Sequence, residues 1–218
     1  MDKIVAFDFD GTLAPSFPLI VDCFIKTLDE YGVKMDKNDL AEYYGPTEKG
    51  MLAKILGKDK GSEAFIEYCK LYKKEHSSLL PSFSEELLAI LGKIKSMAHT
   101  HLAIVTGRSR PTAEISLKEF GIFGLFEKIY CGSYYGVNKP TSIRKCLKYF
   151  SLGKEDMIYI GDSIKDISSC AAAGIQIISA NYYHTADYEK IRQRNPDKVA
   201  RTYKELDNLL SVWLTGGK

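Results

Sequence analysis

Five short stretches of the chain are almost continuously apolar: residues 3–9 (KIVAFDF), 101–107 (HLAIVTG), 128–133 (KIYCGS), 156–162 (DMIYIGD) and 175–181 (IQIISAN). A strand with one wet face alternates apolar and polar residues, whereas a run without alternation suits a strand covered on both faces. Helical patterns separate these runs. SFSEELLAILGKIKS opens with Ser82 three residues before Glu85, the spacing of a capping box. PTAEISLKEFG has Pro111 near its first turn and Gly121 just past its end. KPTSIRKCLKYF follows the third run, and DSIKDISSCAAAG stops at Gly174. Strand and helix alternate with short connections, which predicts an α/β fold whose parallel sheet is doubly wound, with helices on both faces.

Residues 16–80 break that rhythm and hold no convincing strand. Their pattern predicts helices near 18–31, 37–44, 47–56 and 62–79, punctuated by Gly32, Gly45-Pro46 and Gly57. The expected organisation is therefore a core of residues 1–15 and 81–218, with a helical domain of residues 16–80 inserted after the first strand. The tail LDNLLSVWL (206–214) reads as an amphipathic closing helix that packs Trp213 on the core.

Length and charge narrow the field. A chain of 218 residues suits one domain with an insertion. A net charge of +2 and scattered tyrosines give no footprint for nucleic acid or a membrane surface. Five cysteines, an odd number without CxxC spacing, argue against a disulfide framework or a zinc site and suit a reducing cytoplasm. The N-terminal apolar run is too short and too acidic for a signal peptide, and no stretch approaches the length of a spanning helix. A cytoplasmic monomer or homodimer is expected.

The first run ends in Asp8, Phe9, Asp10, Gly11 and Thr12. Residues two apart on a strand share a side, so Asp8 and Asp10 can aim at one spot past its carboxyl end, where open α/β sheets bind ligands. Two neighbouring carboxylates stay ionised cheaply only beside a cation, and Mg²⁺ prefers such hard oxygen ligands. A plain surface turn is the structural alternative, since Asp and Gly favour turns. The later runs place Thr106, Gly107 and Arg108, then Asp162 with Asp166 one helical turn on, at the same edge, and Lys139-Pro140 opens a helix nearby. Carboxylates, a hydroxyl and an amine converging on one pocket suit phosphoryl transfer.

Four ordered motifs carry a resemblance: DFDGTL at Asp8–Leu13, VTGRS around Thr106, NKP around Lys139, and GDSIKD with Asp162 and Asp166. Together they resemble the haloacid dehalogenase-like superfamily, in its phosphoglycolate phosphatase-like branch with a helical cap inserted after the first motif. The resemblance spans essentially the whole chain and implies a Rossmann-like catalytic core. It implies that Asp8 is the nucleophile, forming an aspartyl-phosphate, and that Asp10 is the general acid and base. It implies Mg²⁺ held by Asp8, the Asp10 carbonyl and Asp162, with Asp166 a further ligand or a partner for Lys139. Thr106, Gly107 and Lys139 would bind phosphate. The implied activity is a Mg²⁺-dependent phosphatase acting on a small phosphorylated metabolite. Alternatives are a sugar phosphomutase of the β-phosphoglucomutase kind, a pyrophosphatase, or a non-catalytic regulator that binds a metabolite. The region NYYHTADYEK lacks the glycine-rich turn common in the branch, so phosphoglycolate itself does not follow.

Substrate selection is expected from the insert, at Thr47, Glu48 and Lys49 after the Gly45-Pro46 break. The structural alternatives are Thr47 as a helix N-cap, Glu48 as a first-turn acid and Lys49 as a solvated side chain. Arg108 is expected either to meet a second anionic group of the substrate or to point to solvent. The pair His99 and His101 and the loop residue His184 read as structural.

Overall fold

The computed structural model describes residues 2–136 and 138–216. Among the described residues six strands form one sheet: β1 (Lys3–Phe7), β2 (Thr100–Val105), β3 (Lys128–Tyr130), β4 (Met157–Gly161), β5 (Gln176–Ala180) and β6 (Val199–Ala200). All neighbouring strands are parallel, in the order β3-β2-β1-β4-β5-β6. The chain moves outward from β1 to β2 and β3 on one side and later returns to β4 on the other. The crevice where the direction reverses therefore lies at the carboxyl ends of β1 and β4.

Strand parity divides the core in two. Ile4 and Ala6 of β1 face one way, in a cluster with Ile143, Cys146, Cys170 and Ala173, while Val5 and Phe7 face the other with Leu87, Leu91, Leu206 and Leu210. Both faces are covered, which is why the strands read as unbroken apolar runs. Asp8, next in the parity of Ile4 and Ala6, is thereby turned toward the first cluster's helices.

The insert supplies α1 (Phe17–Glu30), α2 (Lys37–Ala41), α3 (Glu48–Leu56) and α4 (Lys58–Leu79). These pack into a third cluster around Leu19, Phe24, Leu28, Leu52, Tyr68 and Tyr72. The fourth helix begins at Lys58, a turn earlier than its pattern suggests, because Gly57 at φ +85° lets the chain turn directly from α3 into α4. Tyr72 ties this layer to the sheet layer, its hydroxyl 2.8 Å from the Ser116 hydroxyl.

The remaining helices are α5 (Glu85–Ser96), α6 (Arg110–Glu119), α7 (Lys139–Phe150), α8 (Ile164–Ala173), α9 (Tyr188–Arg194) and α10 (Tyr203–Thr215). The N-cap of α5 is Ser84, which accepts from the Leu87 N–H, so the Ser82–Glu85 capping box does not form. Trp213 packs against the β1 face, and Lys3 donates to its carbonyl at 2.7 Å. The short β6 and the seven-residue α9 have no counterpart in the expected pattern. The five cysteines are free thiols, and among the described residues no helix is long and apolar enough to cross a membrane.

Candidate active site

A cleft of about 700 Å³ opens between the insert and the carboxyl ends of β1 and β4. Asp8, Asp10, Gly11, Gly107, Arg108 and Asp162 line its floor. Thr47 and Glu48 reach it from α3, and Tyr183, His184 and Thr185 border it from the loop after β5.

Asp8 is buried, and its parity carries it to the first residues of α7 and α8. One carboxylate oxygen accepts from the Phe9 N–H at 2.8 Å, and the other lies 2.6 Å from the Lys139 ammonium. Lys139 also bonds the fully buried Asp166, whose other oxygen accepts from the Ser163 hydroxyl at 2.6 Å and the Ser163 N–H at 3.1 Å. Asp166 thus closes the capping box of α8 and anchors Lys139 in one stroke. Burial works against the Lys139 charge, but Asp8 and Asp166 more than offset it, so the ammonium is held well above its ordinary pKa.

Asp162, at the end of β4, accepts from the Thr185 hydroxyl at 2.7 Å. Gly11 makes room for it: a Cβ there would stand 2.0 Å from Asp162 Oδ2, and the backbone is left-handed at φ +72°. Oxygens of Asp8, Asp162 and Asp166 lie within 4.8 Å of one another. Burial, against the pull of Lys139, pushes Asp8 up to about 7, with Asp166 and Asp162 adding to the rise. Burial likewise pushes Asp162 up to about 6. Three close carboxylates with one ammonium leave negative charge uncompensated, and every donor is a hard oxygen. That set fits a divalent cation. The Asp10 carboxylate stands apart from it, bonded by the Ser16 hydroxyl and 3.7 Å from Arg108 Nη1.

Thr106 follows β2 and is buried; its N–H donates to the Tyr130 carbonyl at 2.9 Å and its hydroxyl oxygen accepts from the Arg108 N–H at 3.3 Å. Arg108 does not point to solvent. It is 2% exposed, with its guanidinium 4.8 Å from both the Phe9 and Tyr72 ring centroids. Glu48 is more than a first-turn acid: it is buried, and its oxygens accept from the Ser109 N–H at 2.7 Å and the Thr112 hydroxyl at 2.6 Å. Thr47 holds the N-cap position of α3 without a side-chain capping bond. Lys49 is half-buried and is not among the described residues lining the cleft. His101 sits at the start of β2, 2.9 Å from Glu127, and His99 lies 2.7 Å from Asp2, both remote from the cleft.

Ser16, Ser163 and Thr185, which hold Asp10, Asp166 and Asp162, escaped the reading of the sequence. For Ser163 a signal existed, the Ser-x-x-Asp capping pattern at 163–166. Thr185 approaches Asp162 from 23 residues away, and no local pattern marks it.

A family model described as haloacid dehalogenase-like hydrolase matches residues 5–180. The pyrophosphatase PpaX of Halalkalibacterium halodurans is 29% identical to this chain, over 95% of it and 96% of its own length. The phosphoglycolate phosphatase of Aquifex aeolicus is 28% identical over 95% and 96%. Among solved structures, a haloacid dehalogenase-like family hydrolase from Streptococcus pneumoniae superposes with a TM-score of 0.73 at 26% identity, covering 96% of this chain and 98% of the other. CbbY from Rhodobacter sphaeroides, solved with phosphate, reaches a TM-score of 0.76 at 20% identity over 94% and 96%, a likeness of fold.

Proposed function

The chain belongs to the haloacid dehalogenase-like hydrolase family and is a phosphatase, and we propose that it hydrolyses a small phosphate monoester through an aspartyl-phosphate on Asp8, with Mg²⁺ as the cation. The observation that carries this reading is the Asp8 carboxylate itself: buried, backed by Lys139 at 2.6 Å, and facing an open cleft. Residues 16–80 act as a cap over residues 1–15 and 81–218.

Asp8, Asp162, the Asp10 carbonyl and, directly or through water, Asp166 would hold the cation, which when bound offsets charge on the phosphoryl oxygens. An Asp8 oxygen attacks phosphorus in line and the bond to the leaving oxygen breaks. Lys139 lies against the same carboxylate and offsets the charge of nucleophile and phosphoryl group. The Phe9 N–H orients Asp8, while the Thr106 hydroxyl and the backbone N–H groups of Asp10 and Gly107 hold the phosphoryl oxygens. Asp10, 31% exposed at its side chain and open to the cleft, gives its proton to the leaving alkoxide. It then takes one from a water that attacks phosphorus, releasing inorganic phosphate and restoring Asp8. The Ser16 bond keeps Asp10 turned to the cleft rather than to the Asp8 cluster. Thr47, which lines the cleft, borders the leaving group, and no substrate contact is assigned to Lys49.

Phosphate release from a panel of phosphorylated metabolites and a generic aryl phosphate, with Asp8→Asn and EDTA controls, tests the reading. Release abolished by both controls is expected; release that survives Asp8→Asn overturns it.

A further inference from the structure

Apart from Thr47 and Glu48, the insert's side of the cleft is apolar. Phe17, Ile20 and Phe24 of α1, Tyr44 and Pro46 of the loop between α2 and α3, and Met51 of α3 form it. Phe17 is 51% exposed and Tyr44 37%, their rings 5.7 Å apart edge to face. An aromatic pair left open to water gains nothing by its exposure, and such a patch lining a cleft marks a surface that a ligand covers.

The charges of the cleft point the same way. Arg108 lies 3.7 Å from Asp10 and 3.6 Å from Glu48, between two aromatic faces. Lys139 is taken by Asp8 and Asp166. Lys165, the other cation among the described lining residues, is exposed at the rim. A second anionic group on the substrate would thus be desolvated beside Asp10 and Glu48 with each buried cation already engaged by two carboxylates, and burying a charge without a partner is costly. Arg108 leaves Nε and Nη2 without a hydrogen-bond partner. Both atoms are buried and offer no donor to a group in the cleft, so Arg108, its charge already balanced by Asp10 and Glu48, adds no free cation for a second anion.

We infer that the leaving group taken by this cleft is an uncharged alcohol or phenol with a large apolar face, laid against Phe17, Tyr44 and Met51, and not glycolate or a second phosphate. The inference rests on the phosphatase reading above. It gives the site a substrate class different from the pyrophosphate and phosphoglycolate named for the two phosphatase relatives above.

The test compares kcat/KM of the full chain with Mg²⁺ on phenethyl phosphate, ethyl phosphate, phosphoglycolate and pyrophosphate. Phenethyl and ethyl alcohol are similar leaving groups, so their ratio reads the pocket. Phenethyl phosphate is expected to exceed ethyl phosphate by about tenfold or more, and phosphoglycolate and pyrophosphate to fall below it by at least as much. Either anionic substrate equalling phenethyl phosphate overturns the inference. Phe17→Lys, at an exposed helix start, is expected to shift the ratio several-fold toward phosphoglycolate; an unchanged ratio overturns the inference. Calorimetry with non-hydrolysable phosphonates makes the result independent of turnover. Phenylpropylphosphonate is expected to bind more tightly than phosphonopropionate, and the reverse order overturns the inference. Absence of hydrolysis of every ester would sink the phosphatase reading alone, because the phosphonate order still decides this one.

Discussion

Glu48 and Arg108 meet across the seam between the insert and the sheet layer, Oε1 of one 3.6 Å from Nε of the other, both buried. The contact joins α3 to the turn that follows β2, and Arg108 passes it on to Asp10. Each partner keeps other bonds if the pair is broken: Glu48 those from Ser109 and Thr112, Arg108 its neighbour Asp10. Glu48→Gln and Arg108→Met are therefore each expected to cost about 1–3 kcal/mol, less than the loss of a wholly isolated buried pair. Their double mutant should cost less than the sum by ~0.5 kcal/mol or more, measured by urea unfolding. Strict additivity would mean that the two charges do not feel each other.

Metal binding should depend on pH in a defined direction. Asp8, at about 7, and Asp162, at about 6, are both raised by burial above the ordinary carboxylate range. A raised carboxyl favours the protonated folded state, so its contribution is fully present below the unfolded value near ~4 and lost as pH rises through 6 to 7. A divalent cation offsets that loss. The rise in Tm produced by Mg²⁺ is expected to grow between pH 5.5 and 8, read by thermal melts with and without the ion. A rise that is flat across this range, or largest at the acid end, contradicts the shared carboxylate site.

Gly11→Ala puts a Cβ into Asp162 and onto a left-handed backbone. The conformation alone costs about 1–2 kcal/mol, and the clash displaces a proposed metal ligand. The expected result is a lower urea midpoint together with a Mg²⁺ titration that saturates at higher concentration. Normal Mg²⁺ affinity in the folded variant would show that Asp162 is not needed where it stands.

Thr185→Val removes the hydroxyl that orients Asp162 and keeps the side chain's shape. Groups that orient metal ligands are worth about 10–100-fold in affinity or activity. A Mg²⁺ affinity reduced by about tenfold, with Thr185→Ser restoring most of it, is expected; an unchanged affinity would leave Thr185 a bystander.

Much of this architecture is legible along the chain because local rules dictate it. The runs at β1, β2, β4 and β5 are unbroken because both sheet faces are covered, and the parity that buries Ile4 and Ala6 also aims Asp8 at α7 and α8. Gly174 ends α8 in a left-handed turn where the pattern stops. What stays hidden depends on residues distant in sequence. Glu48 meets Ser109 across 61 positions, so nothing in YYGPTEKG separates a buried link from a solvated first-turn acid. Arg108 follows a polar Thr-Gly pair that suits an exposed loop, yet Phe9 and Tyr72 enclose it from two other elements. At two residues β6 is too short to show a period, and it exists because β5 offers Ser179 and Ala180 as partners. The apolar wall of the cleft was invisible for a related reason: Phe17 and Tyr44 look like ordinary helix and loop residues until the insert folds over Asp8.

The most direct measurement is to quench turnover with acid, using substrate labelled in its phosphoryl group, and to find the peptide that carries the label. Label on the peptide containing Asp8, absent in Asp8→Asn, is the expected result. Continued turnover by the parent chain with no label on that peptide, or by Asp8→Asn at the parent rate, would contradict a covalent phosphoryl transfer through Asp8.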